Sequence, residues 1–243
     1  MPVVEVENLI KDFGAYRALQ GVSFSVDEGV VFGLVGPNGA GKTTTFRIIA
    51  GLLPPTSGEV SVLGMEPGDV KLRRLMAYLP EDAGAYRNIT GYEFLALIAR
   101  LYFGRSREAE EALELGLKIA NLGDKVHDKM KNYSKGMKRR IQVARALMVK
   151  PKVLVLDEPT AGLDVVNAKE IRDLIVQYAQ TLGTTVLVSS HNMTEVEKVC
   201  STVALINRGL ILEQGYVSEL LSKHGVKDLE DLFLKLVGSD SRW

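Results

Sequence analysis

Gly36-Pro37-Asn38-Gly39-Ala40-Gly41-Lys42-Thr43 is the stretch on which the fold turns. Its glycines and its Lys-Thr ending match a phosphate-binding loop, in which backbone N–H groups converge on phosphate oxygens. Before it, Val30 to Val35 is a continuous apolar run broken only by Gly33, as for a strand buried on both faces. After it, Thr44 to Leu53 is apolar with helical periodicity, so a helix presents its positive N-terminus to the same anion. Lys42 is placed to reach the β- and γ-phosphates of a nucleoside triphosphate, and the Thr43 hydroxyl to ligate Mg²⁺. A mere glycine-rich turn is the alternative, and the order strand, loop, helix argues against it.

Outward from the loop, Val3 to Val6 and Val22 to Val26 read as strands, the second running into the turn Asp27-Glu28-Gly29. Short strands are expected at 60–63 and 76–79. From Thr90 to Val149 the pattern turns helical, with helices over 92–103 and 106–120 and a third from Ser134 to just before Pro151. Alternation then resumes: a buried strand at 153–156, a helix over 165–182 ended by Gly183, and a buried strand at 185–189. A short helix at 195–200, a hairpin through Asn207-Arg208-Gly209 and a helical tail over 216–237 complete the chain. The layout is an α/β core, 1–82 and 151–243, with N-terminal β strands and an inserted helical subdomain at 83–150.

Composition sets bounds on function. The 243 residues are 46% hydrophobic and 25% charged, with 30 basic and 30 acidic side chains. Zero net charge gives no general electrostatic reason to bind nucleic acid or anionic lipid. The single cysteine, Cys200, reads as a buried small hydrophobe in a reducing, cytosolic protein. No apolar run reaches the roughly 18 residues that span a bilayer, and no signal peptide is evident. Any membrane role is expected to come through a partner.

Val153-Leu154-Val155-Leu156-Asp157-Glu158 is an apolar strand ending in two carboxylates. Asp157 can hold Mg²⁺, and Glu158 can polarise an attacking water as general base. Loop and acidic strand together leave GTPases, kinases, RecA-like motors and ABC ATPases. No Asn-Lys-x-Asp guanine-reading segment occurs. Tyr133-Ser134-Lys135-Gly136-Met137, about twenty residues before the acidic strand, resembles the Leu-Ser-Gly-Gly-Gln signature of the ABC ATPase family. Asp157-Glu158-Pro159-Thr160-Ala161-Gly162-Leu163-Asp164 is similar to that family's strand end and D-loop. The resemblance covers nearly the whole chain.

The resemblance implies a P-loop NTPase core of ABC type, a Mg²⁺-dependent ATPase and the ATP-binding subunit of a transporter. It implies a nucleotide site of Gly36 to Thr43 with Thr44, Phe13 stacking on adenine, and Ser134, Gly136 and Asp164 reaching ATP held by a second chain. It makes Lys42, Glu158 and His191 (the switch histidine) catalytic, and gives the metal Thr43, Asp157 and Glu81, which falls at the Q-loop glutamine. Phe13 as a core aromatic is the alternative, against which the adjacent Gly14 suggests a turn. The basic run Lys138-Arg139-Arg140 is expected to be a solvated helix face. The signature departs from the family at Lys135 and Met137. Partners implied are an integral membrane subunit and a second ATPase chain, homodimeric or heterodimeric, with no nucleic acid, on the inner face of the cell membrane. Thr185 to Glu197 resembles the subfamily serving drug, antibiotic and sodium exporters, and the stretch after His191 is short for an importer's regulatory β-domain. The alternatives are a non-transport ABC ATPase working on nucleic acid or ribosomes, and a regulatory binder. Only about ninety residues separate Thr43 from Tyr133, with no sustained heptads, which argues against the DNA-end type.

Overall fold

The computed structural model describes residues 2–82, 84 and 86–239. Met1, Ala83, Ala85 and 240–243, which include both chain ends and the first residue of the expected insert, lie outside the described residues. In chain order the elements are β1 (Pro2–Phe13), β2 (Tyr16–Asp27), β3 (Val31–Val35), α1 (Lys42–Ile49), β4 (Ser57–Val62) and β5 (Met76–Leu79). Then come α2 (Gly91–Phe103), α3 (Arg107–Ala120), α4 (Lys135–Leu147), β6 (Val153–Asp157), α5 (Val165–Leu182) and β7 (Thr185–Ser190). The chain closes with α6 (Met193–Glu197), β8 (Thr202–Asn207), β9 (Leu210–Tyr216), α7 (Val217–His224) and α8 (Leu229–Ser239). It divides into two compact units, one of residues 1–73 with 185–243, the other of residues 74–184.

The first unit carries two sheets. β1 is the middle strand of an antiparallel sheet between β2 and β4. It runs on to Phe13, well past the expected Val6, because Asn8 at φ 48° makes an irregularity that lets a polar stretch stay in the ladder. In the second sheet β3 pairs in parallel with both β7 and β8, and β9 folds back antiparallel on β8. β3 and β7 are nearly wholly buried, as their unbroken apolar runs require. Val196, Cys200, Val203, Leu220, Leu229 and Leu232 form a core cluster with Val35. Burial pushes the Cys200 thiol up to about 12, consistent with its reading as an inert small hydrophobe.

β2 likewise starts at Tyr16, before the expected Val22, and two further differences lie in the C-terminal part of this unit. The tail is two helices: Gly225 takes the left-handed conformation and ends α7, and the Asp228 carboxylate caps the next turn by accepting from the Asp231 N–H at 2.8 Å. The short helix starts earlier, at Met193, because the Asn192 side chain caps it by accepting from the Glu195 N–H at 3.1 Å.

The second unit holds the parallel pair β5–β6 and helices α2 to α5. Thr90 and Glu93 form a reciprocal capping box at the start of α2. The three helices expected over 83–150 lie inside this unit. Tyr133 is buried, and its hydroxyl donates to the Lys125 carbonyl at 2.9 Å, fixing the approach to α4. The run Lys138-Arg139-Arg140 is not the solvated face expected. Arg139 is buried and donates to the Pro80 and Glu81 carbonyls, and Arg140 pairs with Glu170 at 2.5 Å. A helix that packs at positions i, i+3 and i+6 can bury polar and charged side chains when they donate to nearby carbonyls. Gln142 to Gly84 at 2.6 Å and Arg145 to Tyr78 at 3.1 Å continue that row.

Candidate functional site: phosphate loop, acidic strand and signature helix

In the first unit the loop 36–41 joins the buried end of β3 to the start of α1. The Gly36 N–H donates to the Ser190 carbonyl at 3.2 Å, continuing the β3–β7 ladder into the loop. A Cβ on Gly36 would overlap the Ile206 carbonyl oxygen. Gly41 is the N-cap of α1 at φ 109°, and a Cβ there would lie 2.6 Å from the Leu19 side chain and 3.1 Å from the Ala18 carbonyl. The loop therefore demands glycine for both backbone conformation and space. No side chain caps α1, so its first amides face the loop. Lys42 is 6% exposed, and its ammonium folds back onto the Gly36 and Pro37 carbonyls at 2.7 and 3.2 Å. Pro37, Asn38 and Gly39 are exposed at the loop crest, Ala40 is buried below it, and Thr43 and Thr44 are half-buried.

Phe13 is 48% exposed at the end of β1, opposite Tyr16 across the β1–β2 turn, with the Lys11 ammonium 5.2 Å from its ring centre. It is a surface aromatic, free of the core role weighed against stacking. His191 is exposed at the end of β7. The next residue is fixed by the Asn192 N–H donating to the Ser190 hydroxyl at 3.0 Å.

In the second unit β6 is buried along its whole length and ends in Asp157, 1% exposed. The Tyr78 hydroxyl of β5 lies 3.4 Å from an Asp157 carboxylate oxygen. Glu158, 7% exposed, has φ 48°, a left-handed backbone rare for a non-glycine residue. The strand thus ends abruptly, and the Ala161 N–H closes a turn on the Glu158 carbonyl at 3.1 Å. Two adjacent carboxylates leave the strand through that turn instead of continuing its alternation.

Ser134 is the N-cap of α4, its hydroxyl accepting from the Met137 N–H at 3.2 Å. Gly136 lies against Asn167 of α5, where a Cβ would overlap the amide oxygen. Asn167 in turn donates to Asp164 at 2.6 Å, and Asp164 caps α5. The Asn167 backbone N–H, then its side-chain amide, hold the Asp164 carboxyl below the usual carboxylate range. The Lys135 ammonium lies against Gly162. Signature and D-loop are therefore one packed assembly within this unit. Glu81 is exposed, with its carbonyl held by Arg139 at 2.8 Å.

The sequence reading missed Asn167 and Gly162 as partners of the signature, and Arg139 as the anchor of the Glu81 loop. Asn167, three residues after a capping Asp, was the only signal in view. It also missed Tyr78 beside Asp157, which only the β5–β6 pairing reveals.

The ABC transporter family profile matches residues 19–161, well over half the chain. The chain belongs to the ABC transporter ATP-binding family. The linearmycin resistance ATP-binding protein of Bacillus subtilis is 36% identical over 225 residues, 92% of this chain and 72% of that protein. The bacitracin transport ATP-binding protein of Enterococcus faecalis is 34% identical over 220 residues, 90% of this chain and 70% of that protein. A solved ATP-binding subunit of an ABC transporter superposes with a TM-score of 0.85 at 30% identity, covering 97% of this chain and 99% of its own. A dimeric post-hydrolysis cassette bound to ADP and phosphate superposes at 0.78 and 25% identity, covering 88% and 98%. The fold is the mixed α/β cassette of ABC ATPases. The chain is an ABC-type ATPase and the ATP-binding subunit of a transporter, and ATPase domains of this family bind ATP and ADP. Subunits of this family work with membrane partners and dimerise. Among the described residues no helix is long and apolar enough to cross a membrane.

Proposed function

We propose that this cassette drives export through a separate membrane-spanning subunit, and that its ATP sites are completed between two chains. The observation that carries the reading is the pairing, in one chain, of a glycine-built phosphate loop with a Ser134-capped signature helix packed on the D-loop. On this reading Gly36 to Thr44 cradle the phosphates, Lys42 bonds the β- and γ-phosphates, and Phe13 stacks on adenine. Ser134 and Gly136 meet the γ-phosphate bound by the other chain, and His191 contacts the γ-phosphate in its own. Asp164 belongs to the nucleotide site with them, and its carboxylate also caps α5.

A threonine hydroxyl and carboxylates are donor types that suit Mg²⁺, a hard cation that takes few protein ligands and shares the rest with phosphates and water. Thr43 and Asp157, with Glu81 in the glutamine's place, would hold it, and it would neutralise phosphate charge. Glu158 accepts the proton of the attacking water, and Lys42 stabilises charge that grows on the phosphate oxygens. Positioning and electrostatics thus supply most of the rate. When the γ-phosphate leaves, the link between chains weakens and the dimer opens. We assign the chain to one cassette domain, with the helical insert at 83–150 carrying the signature.

Export is favoured by relatives whose names attach them to linearmycin resistance and bacitracin transport. The chain would then sit on the inner face of the cell membrane, held by its partner. The test is ATPase activity of the chain with the integral membrane protein that co-purifies with it, reconstituted in vesicles, against DNA ends and ribosomes. Stimulation by the membrane protein alone is expected. Stimulation by DNA ends or ribosomes instead would favour the non-transport reading.

A further inference from the structure

The β8–β9 hairpin turns at Arg208-Gly209, and its tip reaches the phosphate loop. The Gly209 N–H donates to the Ala40 carbonyl at 2.9 Å. The Gly209 carbonyl accepts from the Gln20 backbone N–H at 2.8 Å, and the Gln20 side-chain amide donates to the Arg208 carbonyl at 2.6 Å. One hairpin tip is thereby tied to the phosphate loop on one side and to β2 on the other. The fit is tight. Gly209 has φ 76°, and a Cβ there would lie 2.5 Å from the Ala18 carbonyl oxygen and 3.0 Å from the Leu19 Cα. Ala18 and Leu19 are the same residues that close on Gly41.

The Ala40–Gly41 peptide is the point of leverage. In a planar trans peptide the carbonyl and the following N–H point to opposite sides. Holding the Ala40 carbonyl toward Gly209 turns the Gly41 N–H away from the hairpin, at the uncapped start of α1. We infer that Gln20 and Gly209 form a brace that fixes the direction in which the phosphate loop presents its Gly41 N–H, and so are positioning residues for nucleotide phosphates. This rests on the loop being the nucleotide site. The brace touches no reacting atom. It acts on ground state and transition state alike, so its loss weakens binding and raises KM while leaving kcat nearly unchanged.

The test uses the full chain and four variants, with binding of MgADP and MgATP by titration, KM and kcat, and thermal melting. Gln20→Glu keeps the size and loses the donor, and Gln20 is exposed, so the fold should stand. It is expected to bind both nucleotides about three- to tenfold more weakly, as for one lost hydrogen bond, with KM raised in step and kcat within about twofold. Gln20→Lys keeps a long donor and is expected to retain the parental affinity. Gly209→Ala is expected to weaken binding by about tenfold or more, because strain at positive φ and the clash with Ala18 add to the lost geometry. If Gly209→Ala does not fold, the Glu and Lys variants at Gln20 decide the matter alone. Parental affinity in Gln20→Glu, or a fall in kcat with KM unchanged, overturns the brace. Lys42→Ala separates the two levels: if it weakens binding while the brace variants do not, only the brace is wrong. If none of the variants changes affinity, the nucleotide-site reading itself is wrong.

Discussion

Glu158→Gln is expected to bind ATP as tightly as the parent and to hydrolyse it roughly a hundred- to ten-thousand-fold more slowly, the usual contribution of a positioned general base. The amide keeps the size of the side chain and the turn that begins at Glu158, so the buried end of β6 is undisturbed. What it loses is the ability to accept a proton from water. Lys42 and the metal ligands remain, so the ATP-bound state should accumulate as a dimer in size-exclusion chromatography with Mg²⁺ and ATP. Single-turnover rates within a few-fold of the parent would remove Glu158 from the role of base.

The second large effect is expected on binding. Lys42→Ala should weaken ATP by roughly ten- to a hundred-fold, the equivalent of a charge-assisted contact of about 1.5–3 kcal/mol. The ammonium sits on the Gly36 and Pro37 carbonyls, so its removal also releases the loop from one of its own ties. Calorimetric titration with MgATP checks this. A parental dissociation constant would mean that the loop serves another purpose.

The glycine loop and the end of the buried strand were legible in the sequence because local chemistry is strict there. Glycines at 36 and 41 are imposed by close approach and positive φ, and such demands leave a residue pattern that can be read without a partner in view. The same holds for Asp157 and Glu158, since an apolar strand buried on both faces announces its own end. Strand and helix order followed from periodicity for the same reason. What could not be read is contact between distant segments. Nothing near Gly209 says that its N–H will meet Ala40, and nothing near Lys135 says that it will lie on Gly162. Arg139 looked like part of a solvated basic run because a buried guanidinium satisfied by loop carbonyls has no sequence signature. The tail break at Gly225 was visible in principle, since a glycine before an Asp cap is a stop followed by a start, and the apolar periodicity on both sides masked it.

The central claim is that each ATP site is shared between two chains, and mixing tests it most directly. Chains carrying Lys42→Ala and chains carrying Ser134→Arg should each be nearly inactive alone, because one lacks the phosphate loop's charge and the other blocks the signature. In a heterodimer both damaged elements fall in one composite site and the other site is intact. ATPase activity measured across mixing ratios should therefore rise to a maximum, at up to about half the parental rate per heterodimer if the two sites fire independently. Mixtures as inactive as either parent variant, with heterodimers confirmed by differential tagging, would contradict the account.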